Sequence, residues 1–288
     1  MSVVPPMRVG EERLPDGRLL GWAEWGRGDG TPVLLCPGAA TSRHLGLDAA
    51  VVRDAGIRLI SLDRPGLGGS TPAPQRTFAD FAADVRTFTH RRGLGAPAMV
   101  AHSQGAPFAL ACAAAGVIGA LAVVSGADEV ADPRFGDVLP PELRRLVDLS
   151  VTEPRKAEET FAAFTAQAMW EMVMNGSPAC DLAVYREESF TAAYREALRE
   201  GFVQGADGYA RDALLAMRPW GIDLASITVP VDVWYGTEDV SHSPDQGAGL
   251  TSRIPGAVRH LIPGIGGALL WTCGKRIVRV LLERTGQT

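Results

Sequence analysis

The 288-residue sequence is poor in the residues that mark several classes of protein. Its four cysteines lie far apart and form no C-x-x-C pair, so we expect buried side chains or free thiols of a reducing compartment. There is no His-x-x-x-His pair and no dense carboxylate cluster, which argues against a metal site. The glycine-rich segment 63–70 lacks the Gly-Lys-Ser/Thr of a phosphate-binding loop. We therefore expect neither a metal nor another cofactor.

The sequence also has no excess of positive charge, with 28 lysines and arginines against 33 aspartates and glutamates. The formal net charge is −5, which gives no electrostatic reason to expect nucleic acid or an anionic membrane surface as a partner. We expect the partner to be a small-molecule substrate or ligand. Nothing in the sequence specifies an oligomeric state.

Signals for export or membrane insertion are missing as well. Residues 1–17 do not show the basic-then-apolar pattern of a signal peptide. Residues 103–127 carry no charged side chain and are long enough to span a bilayer. However, proline and glycine divide this stretch into a predicted helix over 105–115 and a buried strand over 119–125. The expectation is a soluble, cytoplasmic protein.

What the sequence does contain is an alternation of short apolar runs and helical patterns, typical of an α/β fold. The predicted strands span residues 18–25, 33–36, 57–62, 97–103, 119–125, 229–235 and 258–262. Helices are predicted over 45–55, from Thr77 to Gly93, over 105–115 and over 269–284. We expect an eight-stranded, mostly parallel sheet with helices on both faces, built from residues 1–127 and 221–288. Residues 128–220 show only helical patterns and predict a helical cap, with an apolar stripe over 161–176.

One of these predicted strands ends in a serine. Residues 97–105 read Pro-Ala-Met-Val-Ala-His-Ser-Gln-Gly, and an alanine-rich helical segment follows at once. The small residues Ala101 and Gly105 would let strand and helix approach closely around Ser103. Such a turn exposes the serine hydroxyl beside the N–H of Gln104. Taken alone, the pattern also fits a buried serine at a helix start.

With three further motifs, the sequence resembles the α/β-hydrolase family, including its esterases and proline iminopeptidase-like members, over nearly its whole length. These motifs are Pro37-Gly38-Ala39, in place of the family's oxyanion loop, Asp63-Arg64-Pro65-Gly66-x-Gly-x-Ser, like the loop after its fourth strand, and Gly236-Thr237-Glu238-Asp239, like the loop of its triad acid. The resemblance implies an acyl-transfer site with Ser103 as the nucleophile. The N–H groups of Gln104 and Ala39 would form the oxyanion hole.

The implied triad acid is Asp239, which would orient a histidine base. Asp128, after the 119–125 strand, is a second place where some relatives carry the acid. The family places its histidine in a pattern like Pro-Gly-x-Gly-His, where this chain has glycine as residue 267. No histidine follows His260, so a shift of one or two residues cannot place a histidine on this loop. Gly267 therefore stands at the position of the base. His242, three residues after Asp239, is the candidate for a displaced base, or else an ordinary loop histidine.

The other four histidines suit structural or surface roles. His102 precedes the serine, and we expect its side chain to point away from the nucleophile. His260 lies within the last strand, and His44 follows the oxyanion loop, at the surface or at the mouth of a pocket. His90 lies at a helix end, where its positive charge suits the helix dipole.

Two classes of function follow. The first is an enzyme that acts on a hydrophobic small molecule or on an acyl- or lactone-type substrate, with weak or non-standard hydrolysis because the triad histidine is absent. Cyclisation, elimination or isomerisation in the same pocket would also fit, since such reactions need orientation and hydrogen-bond donors more than a nucleophile. The second class is a non-catalytic protein that binds a small molecule.

Overall fold

In the computed structural model, which describes residues 1–286, eight strands form one sheet. The strands are β1 (Arg8–Arg13), β2 (Leu19–Trp25), β3 (Thr31–Cys36), β4 (Ile57–Leu62), β5 (Ala98–Ser103), β6 (Ala120–Gly126), β7 (Val231–Gly236) and β8 (Val258–Ile262). Their order across the sheet is β1-β2-β4-β3-β5-β6-β7-β8. Only the β1–β2 and β2–β4 pairs are antiparallel. The predicted α/β fold, with its mostly parallel eight-stranded sheet, is confirmed.

Helices cover both faces of this sheet. They are α1 (Ala49–Asp54), α2 (Phe78–Arg91), α3 (Gly105–Ala114), α4 (Pro141–Thr152), α5 (Pro154–Ala162), α6 (Ala166–Gly176), α7 (Ala179–Tyr185), α8 (Glu188–Gly201), α9 (Asp207–Ala216), α10 (Ala248–Arg253), α11 (Leu269–Thr272) and α12 (Gly274–Arg284), with short 3₁₀ helices at Pro133–Phe135 and Leu224–Ser226. Every regular element between β6 and β7 is helical. The division into a core of 1–127 and 221–288 and a cap of 128–220 stays a prediction.

Three details differ from the sequence-based predictions. β1 was not among the predicted strands. The apolar stripe of 161–176 belongs to two helices, because the Thr165 hydroxyl accepts the Ala168 N–H and starts α6 anew. The single helix expected over 269–284 is broken at Cys273 into α11 and α12.

The core lies on both faces of the central strands, because successive strand residues point to opposite sides. Val33 and Leu35 of β3 face α1 and α12, whereas Leu34 between them faces α2 and α3. Buried aromatic side chains from α5, α7, α8 and α9 extend the first of these two clusters. The helical insert is therefore packed continuously onto the α1/α12 side.

The parallel strands bring the predicted site motifs to one edge of the sheet, since their carboxyl ends all lie there. Residues 37–39 follow β3, Ser103 ends β5, Asp239 follows β7 and Gly267 follows β8. None of the helices within residues 1–286 combines the length and the hydrophobicity that a membrane span requires. The cytoplasmic location stays a prediction.

The packing beneath the serine turn gives a first test. Phe108 of α3 is fully buried and meets Phe78 and Phe81 of α2 edge to face, with ring centroids 4.8 and 5.4 Å apart. Phe108→Ala should lower the free energy of unfolding by about 3–5 kcal/mol, measured by urea denaturation. The control Val151→Ala, at an exposed position of α4, should change it by less than about 0.5 kcal/mol. Equal losses for the two variants would contradict this description of the core.

Candidate active site

Ser103 lies at a tight turn between β5 and α3. Its φ of 52° is in the left-handed region, which is strained for a residue other than glycine. A Cβ on Gly105 would come within 2.3 Å of the Cys36 carbonyl oxygen, so the close approach of strand and helix requires glycine there. Ser103 is partly exposed rather than enclosed in the core. Its hydroxyl has no hydrogen-bond partner among the described residues.

The loop after β3 lies against this serine. A Cβ on Gly38 would be 3.3 Å from Ser103 Cβ and 3.7 Å from Ser103 Oγ. The N–H groups of Ala39 and Gln104 donate to no acceptor in the part of the chain that the structure describes. Two unpaired N–H groups near a serine are what an oxyanion hole requires. Their assignment to that role stays a prediction.

Asp239 is paired with His242 on the loop after β7. The carboxylate is 2% exposed, and its Oδ1 lies 2.8 Å from His242 Nδ1. The backbone N–H groups of Ser241 and His242 also donate to this oxygen, each at 3.3 Å. Burial by itself would raise the pKa of Asp239, but the charge of His242 and these hydrogen bonds outweigh it and lower the pKa to about 2. The carboxylate is therefore ionised at neutral pH.

The imidazole of His242 fills the space beside Gly267. A Cβ on Gly267 would lie 2.7 Å from His242 Cε1 and 3.2 Å from His242 Nδ1. Glycine at 267 thus leaves room for a ring that arrives from another loop. Nδ1 is bound to Asp239, and Nε2 has no hydrogen-bond partner within residues 1–286, as a histidine base would require.

The arrangement is nevertheless incomplete. The side-chain hydrogen bonds of His242 go to Asp239 and Ser241, and none joins it to Ser103 Oγ, both residues being described. The approach of about 2.6–3.2 Å expected of a general base is therefore not formed in this conformation. The assignment of His242 as the base stays a prediction.

A second carboxylate, which the sequence did not indicate, anchors the loop after β8. Asp181 of α7 is 2% exposed and accepts the N–H of Gly267 at 2.6 Å and of Ala268 at 3.1 Å. A Cβ on Gly266 would lie 2.4 Å from Asp181 Oδ2, so this contact also requires glycine. Burial raises the pKa of Asp181. A lone aspartate in a helical stretch gives no sequence signal for such a contact.

The two carboxylates determine the protonation of His242. Burial alone would lower the pKa of His242 because it disfavours the charged ring. The charge of Asp239, its hydrogen bond and the charge of Asp181 more than offset this, and the pKa is raised. A larger fraction of His242 is therefore protonated near neutral pH than of an exposed histidine.

The ring of His102, which we expected to point away from the nucleophile, packs beside the loop after β8. Its Nε2 lies 3.1 Å from the Gly267 carbonyl oxygen, and its ring centroid lies 4.8 Å from that of Trp271. Burial, helped by the nearby charge of His242, lowers the pKa of His102 to about 4. His102 is therefore neutral at pH 7, and its Nε2–H donates to Gly267. It holds the loop in place.

The second candidate acid and the other three histidines have different neighbours. The Asp128 carboxylate accepts the hydroxyl of Ser243 at 2.7 Å and has no contact with a histidine ring, which favours Asp239 as the acid. His260 stacks on Trp234 and bonds Asp232 at 2.7 Å. The other two lie apart, with His44 half-buried and His90 exposed. No cluster within residues 1–286 has the composition of a metal site.

A cavity lies elsewhere in the described chain. That cavity, of about 360 Å³, lies between Pro72–Pro74 and the helices α5 and α9. Ser103, Asp239 and His242 do not line it. The predicted pocket above Ser103, beneath the cap, stays a prediction.

The protonation of His242 can be measured directly. In a histidine-ring NMR titration, we expect the pKa of His242 to lie above the usual value of about 6.5. Asp181→Asn should lower it, because it removes a negative charge that favours the protonated ring. Asp137→Asn, which neutralises an exposed carboxylate outside the site, should leave it unchanged. A pKa of His242 below the usual value would show that burial dominates and would contradict this description.

Known proteins share this fold. The chain matches the family model for the α/β hydrolase fold over residues 31–271. The enol-lactonase from Burkholderia xenovorans LB400 is 19% identical, with a TM-score of 0.67, and the match covers 96% of this chain and all of that one. The esterase RhEst1 from Rhodococcus sp. ECU1013 is 21% identical, with a TM-score of 0.63 and full coverage of both chains. The bromoperoxidase from Bacillus anthracis is 17% identical, with a TM-score of 0.66, covering 97% of this chain and all of that one.

No curated protein sequence matches the chain. Because the family match spans most of the sequence, the protein belongs to the α/β-hydrolase family.

Proposed function

We propose that this protein hydrolyses an ester or lactone of a hydrophobic small molecule through Ser103, with His242 as a displaced general base oriented by Asp239. The observation that carries the proposal is the position of the His242 ring, bound to Asp239 at 2.8 Å and filling the space beside Gly267. The low-identity likeness to an enol-lactonase and an esterase supports the substrate class. The predicted helical cap would bound the substrate from above.

The reaction follows the usual course of acyl transfer. His242 Nε2 accepts the Ser103 proton as Oγ attacks the carbonyl carbon, and the N–H groups of Ala39 and Gln104 stabilise the oxyanion. The imidazolium then protonates the leaving oxygen, which gives an acyl-enzyme and an alcohol. Water, deprotonated by the same nitrogen, releases the acid and regenerates Ser103. Since only the neutral ring accepts a proton, the raised pKa of His242 predicts a rate that increases with pH through that pKa.

We expect this hydrolysis to be weak. Because no hydrogen bond joins His242 to Ser103, the ring must shift before it can accept the proton. Complete loss of a triad serine or histidine costs about 10⁶ in turnover and leaves about 10³–10⁴ over water. The activity should lie between this residual level and that of an intact triad.

The same missing contact favours a second candidate. A cyclisation, elimination or isomerisation would need the N–H donors of Ala39 and Gln104 but no deprotonated Ser103. A non-catalytic binding protein would need neither. A fluorophosphonate probe separates these possibilities, because only an activated Ser103 is labelled rapidly. Absence of labelling would rule out the hydrolytic proposal and leave the other two.

Exchanging the position of the histidine tests the proposal. On p-nitrophenyl butyrate, His242→Ala should lower kcat/KM by at least about 10²-fold, because it removes the general base. Gly267→His alone should also lower activity, since the new side chain meets His242. The double variant His242→Ala/Gly267→His should recover activity, because the new ring enters the space that His242 has left.

The control is His90→Ala, which changes an exposed histidine remote from the site and should leave kcat/KM unchanged. Full activity of His242→Ala would contradict the role of His242. Activity of Gly267→His at or above that of the unaltered protein would show that the two side chains do not compete for one space.

A further inference from the structure

A fully buried arginine connects the proposed oxyanion loop to a helix of the predicted cap. Arg64, in the loop after β4, is 0% exposed. Its guanidinium donates to the carbonyl oxygens of Pro37 at 2.6 Å and Gly38 at 2.8 Å. The third contact is with Asp212 of α9, which is also 0% exposed, at 2.6 Å from Arg64 Nε. One side chain thus binds two successive carbonyls of the oxyanion loop and one carboxylate of α9.

The contact of Arg64 with the Gly38 carbonyl, which also accepts the Thr41 N–H at 3.3 Å, bears on the direction of the Ala39 donor. A trans peptide places its C=O and N–H on opposite sides, and no cis peptide occurs in the described chain. Because the Gly38 carbonyl is held at Arg64, the Ala39 N–H of the same peptide must point away from Arg64. That N–H has no acceptor among residues 1–286. Rotation of this peptide would replace the free donor with a carbonyl oxygen.

We propose that Arg64 is a positioning residue for the oxyanion hole, and that its ion pair with Asp212 holds the guanidinium at the carbonyl oxygens of Pro37 and Gly38. This inference rests on the proposed function, because it assigns a cause to the orientation of the Ala39 donor. Arg64 does not touch the reacting atoms and acts through the Gly38–Ala39 peptide.

The same cluster supplies a matched control. Arg76 also pairs with Asp212, and its guanidinium donates to the Gly208 carbonyl at 2.8 Å. It is 4% exposed and makes no contact with residues 37–39. When either arginine is removed, the buried carboxylate of Asp212 still pairs with the other one. The two substitutions should therefore destabilise this carboxylate to a similar extent. Only the loss of Arg64 also releases the oxyanion loop.

The test compares Arg64→Gln with Arg76→Gln on p-nitrophenyl butyrate, with Tm measured for both. Arg64→Gln should lower kcat by about 10²-fold and leave KM within about twofold, because the lost interaction acts in the transition state. Arg76→Gln should lower Tm to a similar extent and leave kcat unchanged. Equal loss of kcat in the two variants, or a loss expressed in KM, would overturn the inference. Arg64→Lys is the second variant, to be used if Arg64→Gln does not fold. Lysine keeps the positive charge but reaches no more than two of the three acceptors, so Arg64→Lys should show the same loss of kcat.

A structural readout separates this inference from the proposed function. In crystal structures, the Gly38–Ala39 peptide should be rotated or disordered in the Arg64 variant and unchanged in Arg76→Gln. If the unaltered protein has no esterase activity, the proposed function fails, and this comparison still tests the positioning role. An unchanged peptide in the Arg64 variant would overturn that role.

Discussion

Space for a single imidazole ring, between Asp239 and the loop after β8, is the constraint on which the candidate site depends. The family's pattern would fill that space from residue 267, and here it is filled from residue 242. The hypothetical Cβ of Gly267 comes within 2.7 Å of the His242 ring, so a side chain at 267 would displace that ring. Glycine at 267 is therefore explained by packing, and the proposed chemistry needs no second histidine.

Buried charges hold the backbone around this space. Asp181 accepts the N–H groups of Gly267 and Ala268, whereas Arg64 binds the carbonyls of the oxyanion loop. Leaving either set of backbone groups unpaired in the interior would cost about 1–3 kcal/mol for each group. Both contacts involve the helical insert, directly through Asp181 or through Asp212 as the partner of Arg64. The position of the insert is thus coupled to both sides of Ser103.

The sequence predicted those parts of the molecule that depend on local pattern. Short apolar runs and helical spacing indicated the sheet and its covering helices, and the small residues around Ser103 indicated its tight turn. The contacts of Asp181 with Gly267 and of Arg64 with Gly38 join residues far apart in the chain, so no local spacing could indicate them. The apolar stripe of 161–176 was misread for another reason. Its spacing continues across Thr165, although α5 ends at Ala162 and the Thr165 hydroxyl caps the start of a new helix, α6.

A covalent adduct of Ser103 is the sharpest test of the proposal that the His242 ring replaces the missing base. A crystal structure of Ser103 modified by a phosphonate ester would place the ring beside a mimic of the tetrahedral intermediate. We expect His242 Nε2 at about 2.6–3.2 Å from Ser103 Oγ or the leaving-group oxygen, with Nδ1 still bound to Asp239. An adduct in which His242 keeps its distance from Ser103, with water or another side chain at that position, would contradict it.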